Sequence, residues 1–329
     1  MKKIKVILIS CLCLLMMTGC TTNKIDSQKI KIVCTTYVQY DWLQQIIGKE
    51  NSTFDLSLII KNGVDLHNYQ PTVQDIVQIS SADLFVCIGG ESEAWVNDAI
   101  KEAKNKDVKM ISLMDVLKDH LKEEEHLEGI EEHDHDHESE DETEYDEHLW
   151  LSLKNAHQAI EFLSNEIQKT DQKHKDIYQK NTENYLKKID DLQQQYQRTV
   201  DAAKTKALVF ADRFPFRYLM NDYSLNYYAA FPGCSAETEA SFSTVTFLAS
   251  KIDELDLSYV IVVDQSDKKM AKTIINCTKN KNQKIVTLDS LQAVKQEQID
   301  KGYSYLKAMK HNLKVLKNVW NRMRKDGVY

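Results

Sequence analysis

Three side chains with the chemistry of metal ligands stand at the edges of predicted elements. His67 lies in the loop Gly63–Pro71, which follows a predicted strand, and Asp289 directly follows another strand. His148 begins the apolar segment His148–Leu151, where packing against a core can fix its position. Zinc takes about four imidazole or carboxylate ligands at ~2.0–2.2 Å. Together these three residues are candidates for one divalent-metal site.

Each of the three residues also has an ordinary structural explanation when it is taken singly. A lone histidine in a loop is more often a hydrogen-bonded surface residue, and an aspartate after a strand is more often a helix cap. Spacing alone does not single these residues out. The loop of His67 is nevertheless fixed at both ends, because Gly63 permits a tight turn and Pro71 opens the next predicted helix.

The segment Asp119–His148 contains a denser set of ligand side chains. It holds six of the ten histidines of the chain, together with sixteen carboxylates and one lysine. His133, His135 and His137 alternate with aspartates, so in an extended chain their imidazoles point to one side. With His126 they form a candidate accessory strip that binds divalent cations loosely. A solvated, disordered acidic run is an equal alternative.

The N-terminus has the pattern of a secretory signal. The positively charged start Met1–Lys5 precedes the apolar run Val6–Met17, which is too short to cross a bilayer as a stable helix. The four residues Met17–Cys20 read MTGC, which resembles a bacterial lipobox. This resemblance implies that lipid is attached to the thiol of Cys20. The pattern predicts a signal peptide over 1–19 and a tether over 20–28. Free secretion is the alternative if the thiol carries no lipid.

Composition and missing motifs exclude several classes of function. The chain has 329 residues and a net charge of −8, and the acidic segment more than accounts for that charge. The remainder is mildly basic, but it has no cluster of Lys and Arg with aromatic residues that would indicate a nucleic-acid groove. The sequence contains neither a His-Glu-x-x-His motif nor a phosphate loop ending in Gly-Lys-Ser/Thr. Protease and ATPase chemistry are therefore not indicated.

The cysteines do not form a disulfide or zinc scaffold, because no Cys-x-x-Cys motif occurs. Cys34, Cys87 and Cys277 lie in or beside apolar runs and are expected to be buried as small hydrophobic residues. Cys234 is different, because it follows Pro232 and Gly233 in a predicted turn.

Short β-branched runs alternate with helical periodicity, which predicts an α/β fold with mostly parallel sheets. The strands expected in the first half are Lys29–Thr36, Phe54–Ile60, Asp83–Ile88 and Val108–Leu113. Those expected in the second half are Leu208–Ala211, Leu225–Phe231, Tyr259–Asp264 and Ile285–Leu288. The pattern therefore predicts two four-stranded lobes, 29–170 and 205–329, with a disordered His/acidic loop over 119–147 in the first.

One long amphipathic helix is predicted to connect the lobes. Residues 171–204 contain neither Gly nor Pro. Apolar residues recur there at helical spacing, at Tyr178, Tyr185, Ile189, Leu192, Tyr196 and Val200. At ~1.5 Å per residue such a helix is longer than one lobe needs, so we expect it to lie across both. A coiled-coil dimer is the competing interpretation.

The chain resembles a known family, the solute-binding lipoproteins of bacterial ABC importers for zinc and manganese (cluster A-I receptors). The resemblance covers nearly the whole chain after the signal. It is carried by the loop Gly63–Pro71, the segment Glu147–Leu151, the His/acidic loop and the long helix. It implies two α/β lobes bridged by one helix, and it implies that His67, His148 and Asp289 bind the cation.

The family's remaining ligand, a histidine or glutamate, does not carry over to this chain. Matching Phe216 and Tyr218 to the aromatic residues of the family motif places Arg213 at the ligand position. A guanidinium stays protonated and cannot bind a cation. Asp212 is the preferred replacement. The alternatives are Glu237, Glu239, the thiolate of Cys234, or water, with Arg213 ion-paired to one of the acids.

The resemblance implies an extracytoplasmic receptor that binds Zn(II) in the cleft between the lobes and delivers it to a separate permease and ATPase. Imidazoles with carboxylates suit zinc or manganese, and intrinsic affinity favours zinc. In the family, His-rich loops accompany zinc transport, and many weak sites in such a loop would raise the local zinc concentration. A manganese receptor of the same family, a surface zinc hydrolase and an adhesin are open alternatives.

Location and partners follow from the same resemblance. We expect a monomer that is held by its lipid anchor at the extracytoplasmic face of the cell membrane. Its partners would be the ABC permease and ATPase subunits, with no nucleic acid. Its metal would be a transported ligand, Zn(II) or alternatively Mn(II), and we expect no enzymatic activity.

Overall fold

The computed structural model describes residues 29–48, 51–124, 127–130, 144–234 and 240–322. Outside these residues lie the predicted signal peptide and tether, the lipidation site Cys20, the accessory histidines His126, His133, His135 and His137, and the carboxylates Glu237 and Glu239. Among the described residues, no helix is both long enough and apolar enough to cross a membrane.

The first half contains a sheet of four parallel strands. They are β1 (Ile30–Cys34), β2 (Phe54–Leu58), β3 (Leu84–Cys87) and β4 (Lys109–Ser112). Their order in the sheet is β2-β1-β3-β4. All four residues of β3 are buried, as expected for a central strand of a parallel sheet that helices cover on both faces.

Helices and short 3-10 turns connect these strands. The helices are α1 (Tyr37–Ile47), α2 (Val73–Ser80), α3 (Trp95–Lys101), α4 (Leu113–Val116) and α5 (Leu153–Thr170). A capping box begins α2, because the side chains of Thr72 and Asp75 each accept a hydrogen bond from the other's backbone N–H. The 3-10 turns that lead towards the candidate site are Leu66–Asn68, Glu91–Glu93 and Leu149–Leu151.

The second half repeats this plan with another sheet of four parallel strands. They are β5 (Ala207–Phe214), β6 (Asn226–Pro232), β7 (Tyr259–Val263) and β8 (Lys284–Leu288), and their order is β6-β5-β7-β8. The register between β5 and β6 shifts between Phe210 and Arg213. The two sheets confirm the predicted α/β fold with two four-stranded parallel sheets.

The remaining helices are α6 (Lys175–Asp201), α7 (Arg217–Asp222), α8 (Phe242–Glu254), α9 (Lys269–Cys277), α10 (Gln296–Asp300) and α11 (Tyr305–Arg322). The long helix α6 confirms the predicted connector, a few residues shorter than expected at each end. The sequence did not predict α4 and α10, which are too short to show a clear helical period.

The apolar stripe of α6 is used inside the chain. All six predicted stripe residues are buried. Hydrogen bonds fix the contacts of α6, since the Thr182 hydroxyl lies 2.7 Å from that of Ser164 on α5, and the Tyr196 hydroxyl donates to the carbonyl of Met309 on α11 over 2.7 Å. The stripe that suggested a coiled coil is therefore filled by helices of the same chain.

The largest hydrophobic cluster is continuous between the two halves. It joins residues of the first sheet such as Phe85 to residues of the second such as Phe210, through side chains of α5, α6 and α11. A second, smaller cluster lies around α8 and α9. The two sheets therefore share core packing instead of burying wholly separate cores.

Of the cysteines expected to be buried, Cys34 and Cys87 are buried, but Cys277 is exposed, so its predicted burial is wrong. Cys277 ends α9, where Ile274 and Ile275 face the core. An apolar neighbourhood in sequence does not fix the direction of the next side chain along a helix, because successive residues point about 100° apart.

We expect the change Tyr196→Phe to lower the free energy of unfolding by about 0.5–1.5 kcal/mol, because it removes one buried hydrogen bond. Chemical denaturation of the purified protein measures this. The change Tyr145→Phe is the control, since that side chain is 38% exposed and should alter stability by less than about 0.5 kcal/mol. Equal losses in both variants would contradict the buried role of Tyr196.

Candidate metal centre

The loop between β2 and α2 presents His67 from a fixed backbone. The Asp65 carboxylate accepts a hydrogen bond from the His67 N–H over 3.1 Å and caps the 3-10 turn. Gly63 has φ +78°, and its N–H donates to the carbonyl of Val294 in the second half over 3.1 Å. Glycine is favoured there because other residues rarely adopt this backbone conformation. The loop of His67 is thus tied to both halves.

One imidazole nitrogen of His67 is held by its surroundings and the other faces His148. Its Nδ1 lies 2.7 Å from the Ser92 hydroxyl, and its Nε2 lies 3.0 Å from Nε2 of His148. Burial, followed by the neighbouring His148 ring, lowers the pKa of His67 to about 3. The ring is therefore neutral at pH 7, which is the state that binds metals.

His148 is fully buried and is oriented by an aspartate two residues before it. The Asp146 carboxylate lies 2.9 Å from Nδ1 of His148 and accepts a hydrogen bond from its backbone N–H over 2.8 Å. A carboxylate on Nδ1 keeps a proton on that nitrogen, which leaves the lone pair on Nε2. The two imidazoles therefore direct their Nε2 atoms towards the same point.

A third ligand type joins the two imidazoles. His67, His148 and Cys234 each offer a ligand atom, and these atoms lie within 4.8 Å of one another. Cys234 follows β6, and Gly233 before it lies against the His148 ring, where a Cβ atom would be 2.9 Å from Cε1. Two imidazoles and a sulfur at this spacing are a donor set that suits zinc.

Asp289 stands outside this group. Its two carboxylate oxygens each accept from the Tyr303 hydroxyl over 2.8 Å, and its backbone is bonded to the Asn312 side chain. The Tyr303 hydroxyl therefore contacts the carboxylate that the family resemblance assigned to the cation.

Asp212 is also outside the group of three ligand atoms. One of its carboxylate oxygens accepts from the backbone N–H of Arg213 over 2.9 Å. The other is buried and has no hydrogen-bond partner within the described residues.

Arg213 forms an ion pair across the two halves. Its guanidinium donates to the Asp65 carboxylate over 2.8 Å, and both side chains are mostly buried. Burial alone would raise the pKa of Asp65, but the charge and hydrogen bond of Arg213 outweigh it, so that pKa lies below its usual value. The sequence analysis had offered Asp212, Glu237 or Glu239 as alternative ion-pair partners of Arg213, whereas the partner in the structure is Asp65.

Sequence reasoning missed Ser92, Asp146 and Gln292, which contact the two imidazoles. The Gln292 side chain, 9% exposed, places its Nε2 2.9 Å from Nε2 of His148. Only Asp146 carried a usable signal, because a carboxylate next to a ligand histidine is a common orienting residue. Ser and Gln are too frequent in any sequence for their positions to be informative.

The ends of the His/acidic segment are folded against the second half. Glu123 and Tyr145 form an isolated antiparallel bridge, and the Asp146 N–H donates to the carbonyl of Lys122 over 2.8 Å. The Tyr218 hydroxyl accepts from the Lys122 N–H and donates to the Asp146 carbonyl. Tyr218 thus fixes, from the second half, the backbone that carries Asp146.

A further contact lies on α8. The Thr244 hydroxyl donates to the carbonyl of Gly129 over 3.0 Å, and the Phe247 ring lies where a Gly129 side chain would stand. Gly129, which lies between His126 and His133 in the sequence, is therefore attached to α8 of the second half.

The two parallel sheets, the bridging helix and the buried pair of imidazoles between the halves agree with the solute-binding receptors of ABC importers that the sequence resembles. The family described as zinc-uptake complex component A, periplasmic (ZnuA), matches residues 32–319, and the chain belongs to this family.

Curated relatives cover most of this chain. The zinc-binding lipoprotein AdcA of Streptococcus pneumoniae (strain ATCC BAA-255 / R6) is 30% identical over 96% of this chain and 61% of its own length. The high-affinity zinc uptake system protein ZnuA of Bacillus subtilis (strain 168) is 30% identical over 93% of this chain and 94% of its own. The chain therefore spans only part of the AdcA proteins that it matches.

Solved structures share the fold. The Zn(II)-bound ZnuA-like domain of Streptococcus pneumoniae AdcA has a TM-score of 0.68 at 25% identity, with 89% of this chain and 99% of that chain covered. The metal-dependent lipoprotein YcdH from Bacillus subtilis has a TM-score of 0.69 at 27% identity, with the same shares covered. Both likenesses confirm the two-lobed fold that the sequence predicted.

We expect stability to depend on pH through Glu93, which is 2% exposed and lies next to Ser92. Burial raises the pKa of Glu93 from 4.5 to about 7. Its contribution to stability is present below the unfolded pKa and is lost as pH rises through the folded pKa. Between about pH 5 and pH 8, the metal-free protein should lose about 2–3 kcal/mol relative to its Glu93→Gln variant.

Urea denaturation of both proteins at several pH values measures this difference. Glu123→Gln is the matched control, because that carboxylate is exposed, and it should follow the unmodified protein at every pH. A difference between Glu93→Gln and the unmodified protein that does not change with pH would show that the buried carboxyl group does not titrate in this range.

Proposed function

We propose that the protein is an extracytoplasmic zinc receptor that delivers its ion to an ABC permease and ATPase. One observation carries the proposal: the buried imidazoles of His67 and His148 direct their Nε2 atoms to one point, while Ser92 and Asp146 hold their Nδ1 atoms. Zinc bound there would meet ligands whose orientation is already fixed, which lowers the cost of assembling the site.

The assignment of ligands is part of the proposal. His67 and His148 are the two ligands on which the proposal depends. Asp289 and Asp212, which the sequence favoured, stay predictions, and each would have to rearrange to reach the imidazoles, since Tyr303 occupies the first and the backbone of Arg213 contacts the second. Variants Asp289→Asn and Asp212→Asn test them directly, because a true ligand loses zinc affinity when its negative charge is removed.

Attachment and location are supported by the relatives. AdcA of Streptococcus pneumoniae is named a zinc-binding lipoprotein, and the family is described as periplasmic. Together with the lipobox-like sequence at Cys20, these names support a receptor that is anchored by lipid outside the cytoplasm. The family is one of transport components, which supports delivery of the metal over its use in catalysis.

Zinc is favoured over manganese as the transported ion. The names of the relatives refer to zinc, and the structure of the AdcA domain contains Zn(II). In the described part of the chain, the group of close ligand atoms consists of two nitrogens and one sulfur. Manganese prefers carboxylate and carbonyl oxygens, so this group does not suit it.

We expect His67→Ala and His148→Ala each to weaken zinc binding by at least ~100-fold, because removing even an outer partner of a ligand costs ~10–100-fold. Competition with a chromophoric chelator measures the affinity. His157→Ala is the matched control, since His157 lies on α5 and pairs with Asp190 at 2.8 Å.

The same substitutions test transport. In cells whose growth on scarce zinc depends on this importer, His148→Ala should abolish growth while folding and expression persist. Normal growth of that strain, or zinc affinity that is unchanged in both variants, would contradict the proposed receptor.

A capture role for the His/acidic strip is tested by deleting 131–143. The wider deletion 127–146 would also remove Asp146, which orients His148, and Gly129, which contacts α8. The narrow deletion should leave the affinity of the cleft unchanged and slow growth only when zinc is scarce, because the lost sites act by raising local zinc. Growth equal to that of the intact strain at every zinc level would exclude the capture role.

A further inference from the structure

The position that the family fills with a histidine or glutamate is occupied here by Arg213, and its guanidinium is engaged with Asp65 at 2.8 Å. The guanidinium is therefore held by Asp65, and as a cation it does not bind a metal ion. Asp212, the carboxylate that β5 also carries, lies outside the group of ligand atoms within 4.8 Å of one another. The member of that group that comes from the second half lies after a neighbouring strand.

Cys234 is that member, and it follows the adjacent strand. β6 pairs directly with β5 and ends at Pro232, two residues before Cys234. The Cys234 sulfur belongs to the group of ligand atoms within 4.8 Å of one another. Zinc lies about 2.3 Å from sulfur and 2.0–2.1 Å from nitrogen, so atoms within this limit need at most a small inward shift to surround one ion.

Gly233 allows this approach. A Cβ atom at Gly233 would stand 2.9 Å from Cε1 of His148 and 2.9 Å from the carbonyl oxygen of Phe214. Contacts under 3.0 Å force atoms apart, so a larger residue would push the turn away from the imidazole. Because Gly233 has no side chain, the turn can lie against the His148 ring, and Cys234 follows directly in this turn.

The thiol has acidic neighbours. Burial is the main cause that raises the pKa of Cys234, and the nearby carboxylates Glu124, Glu147 and Asp146 add to it. Without a metal the thiol keeps its proton. A divalent cation replaces that proton with a metal–sulfur bond, and the proton leaves to a nearby carboxylate or to water.

We propose that Cys234 binds the transported ion through its sulfur, which makes the site selective for thiophilic divalent cations, zinc, cadmium and cobalt among them, and against manganese. This inference deepens the proposed zinc-receptor function and depends on it. Thiolate ligands bind zinc strongly, whereas manganese favours oxygen ligands, so one sulfur in place of an imidazole or carboxylate separates the two metals further.

Cobalt(II) reports the sulfur directly. Titration of cobalt(II) into the reduced, metal-free protein should produce a sulfur-to-cobalt charge-transfer band in the near ultraviolet, together with the weaker visible bands of bound cobalt. Cys234→Ser should abolish the charge-transfer band. Cys277→Ser is the matched control, because Cys277 is exposed at the end of α9, and it should leave the band intact.

Selectivity is measured by competition. The ratio of zinc to manganese affinity should fall by at least about tenfold in Cys234→Ser, with cadmium losing more than zinc. Cys234→His keeps a zinc ligand and should retain zinc binding without the charge-transfer band. It therefore separates loss of the sulfur from loss of the fold, which the serine variant alone does not do. In the unmodified protein, zinc should protect Cys234 and not Cys277 from alkylation, as read by mass spectrometry.

The outcomes separate this inference from the function on which it depends. If cobalt gives its visible bands without charge transfer, or if zinc leaves Cys234 open to alkylation, the sulfur is not a ligand while the receptor function stands. If the unmodified protein binds neither zinc nor cobalt, the proposed function itself fails.

Discussion

The hydrogen bond between Asp146 and His148 is the constraint on which the rest of the site depends. It joins a fully buried imidazole to a carboxylate over 2.9 Å, and the same carboxylate accepts from the His148 backbone. One side chain therefore fixes both the proton and the orientation of the ring. Tyr218 of the second half holds the backbone at Asp146 in turn, because its hydroxyl donates to the Asp146 carbonyl.

Much of the architecture was predictable because it follows from periodicity. β-branched runs that alternate with helical stretches predict parallel sheets, and the apolar stripe on α6 predicts a buried face. The structure contains both the parallel sheets and the buried face. The region where the imidazoles meet was also predictable, since loops after parallel strands converge at one edge. Periodicity does not show how the elements pack against one another. The structure shows that the largest hydrophobic cluster is continuous between the halves.

The ligand set was less predictable, because availability depends on tertiary neighbours. Asp289 has the right chemistry, but the Tyr303 hydroxyl fourteen residues later contacts both of its oxygens. The predicted turn set Cys234 apart from Cys277 and made its thiolate one of several alternative ligands, but only the structure shows that Cys234 lies beside two imidazoles and that Cys277 is exposed. Only the glycine before Cys234 hinted at a close approach of the backbone, and many turns contain such a glycine.

The ion pair between Asp65 and Arg213 has an electrostatic consequence for how the two halves are held together. The two charges come from different halves and are mostly shielded from water, so separating the halves at this point would also separate opposite charges. The attraction therefore opposes separation of the halves at this point whether or not a cation is bound. In the proposed receptor it would help to hold the loop of His67 against the second half before zinc binds.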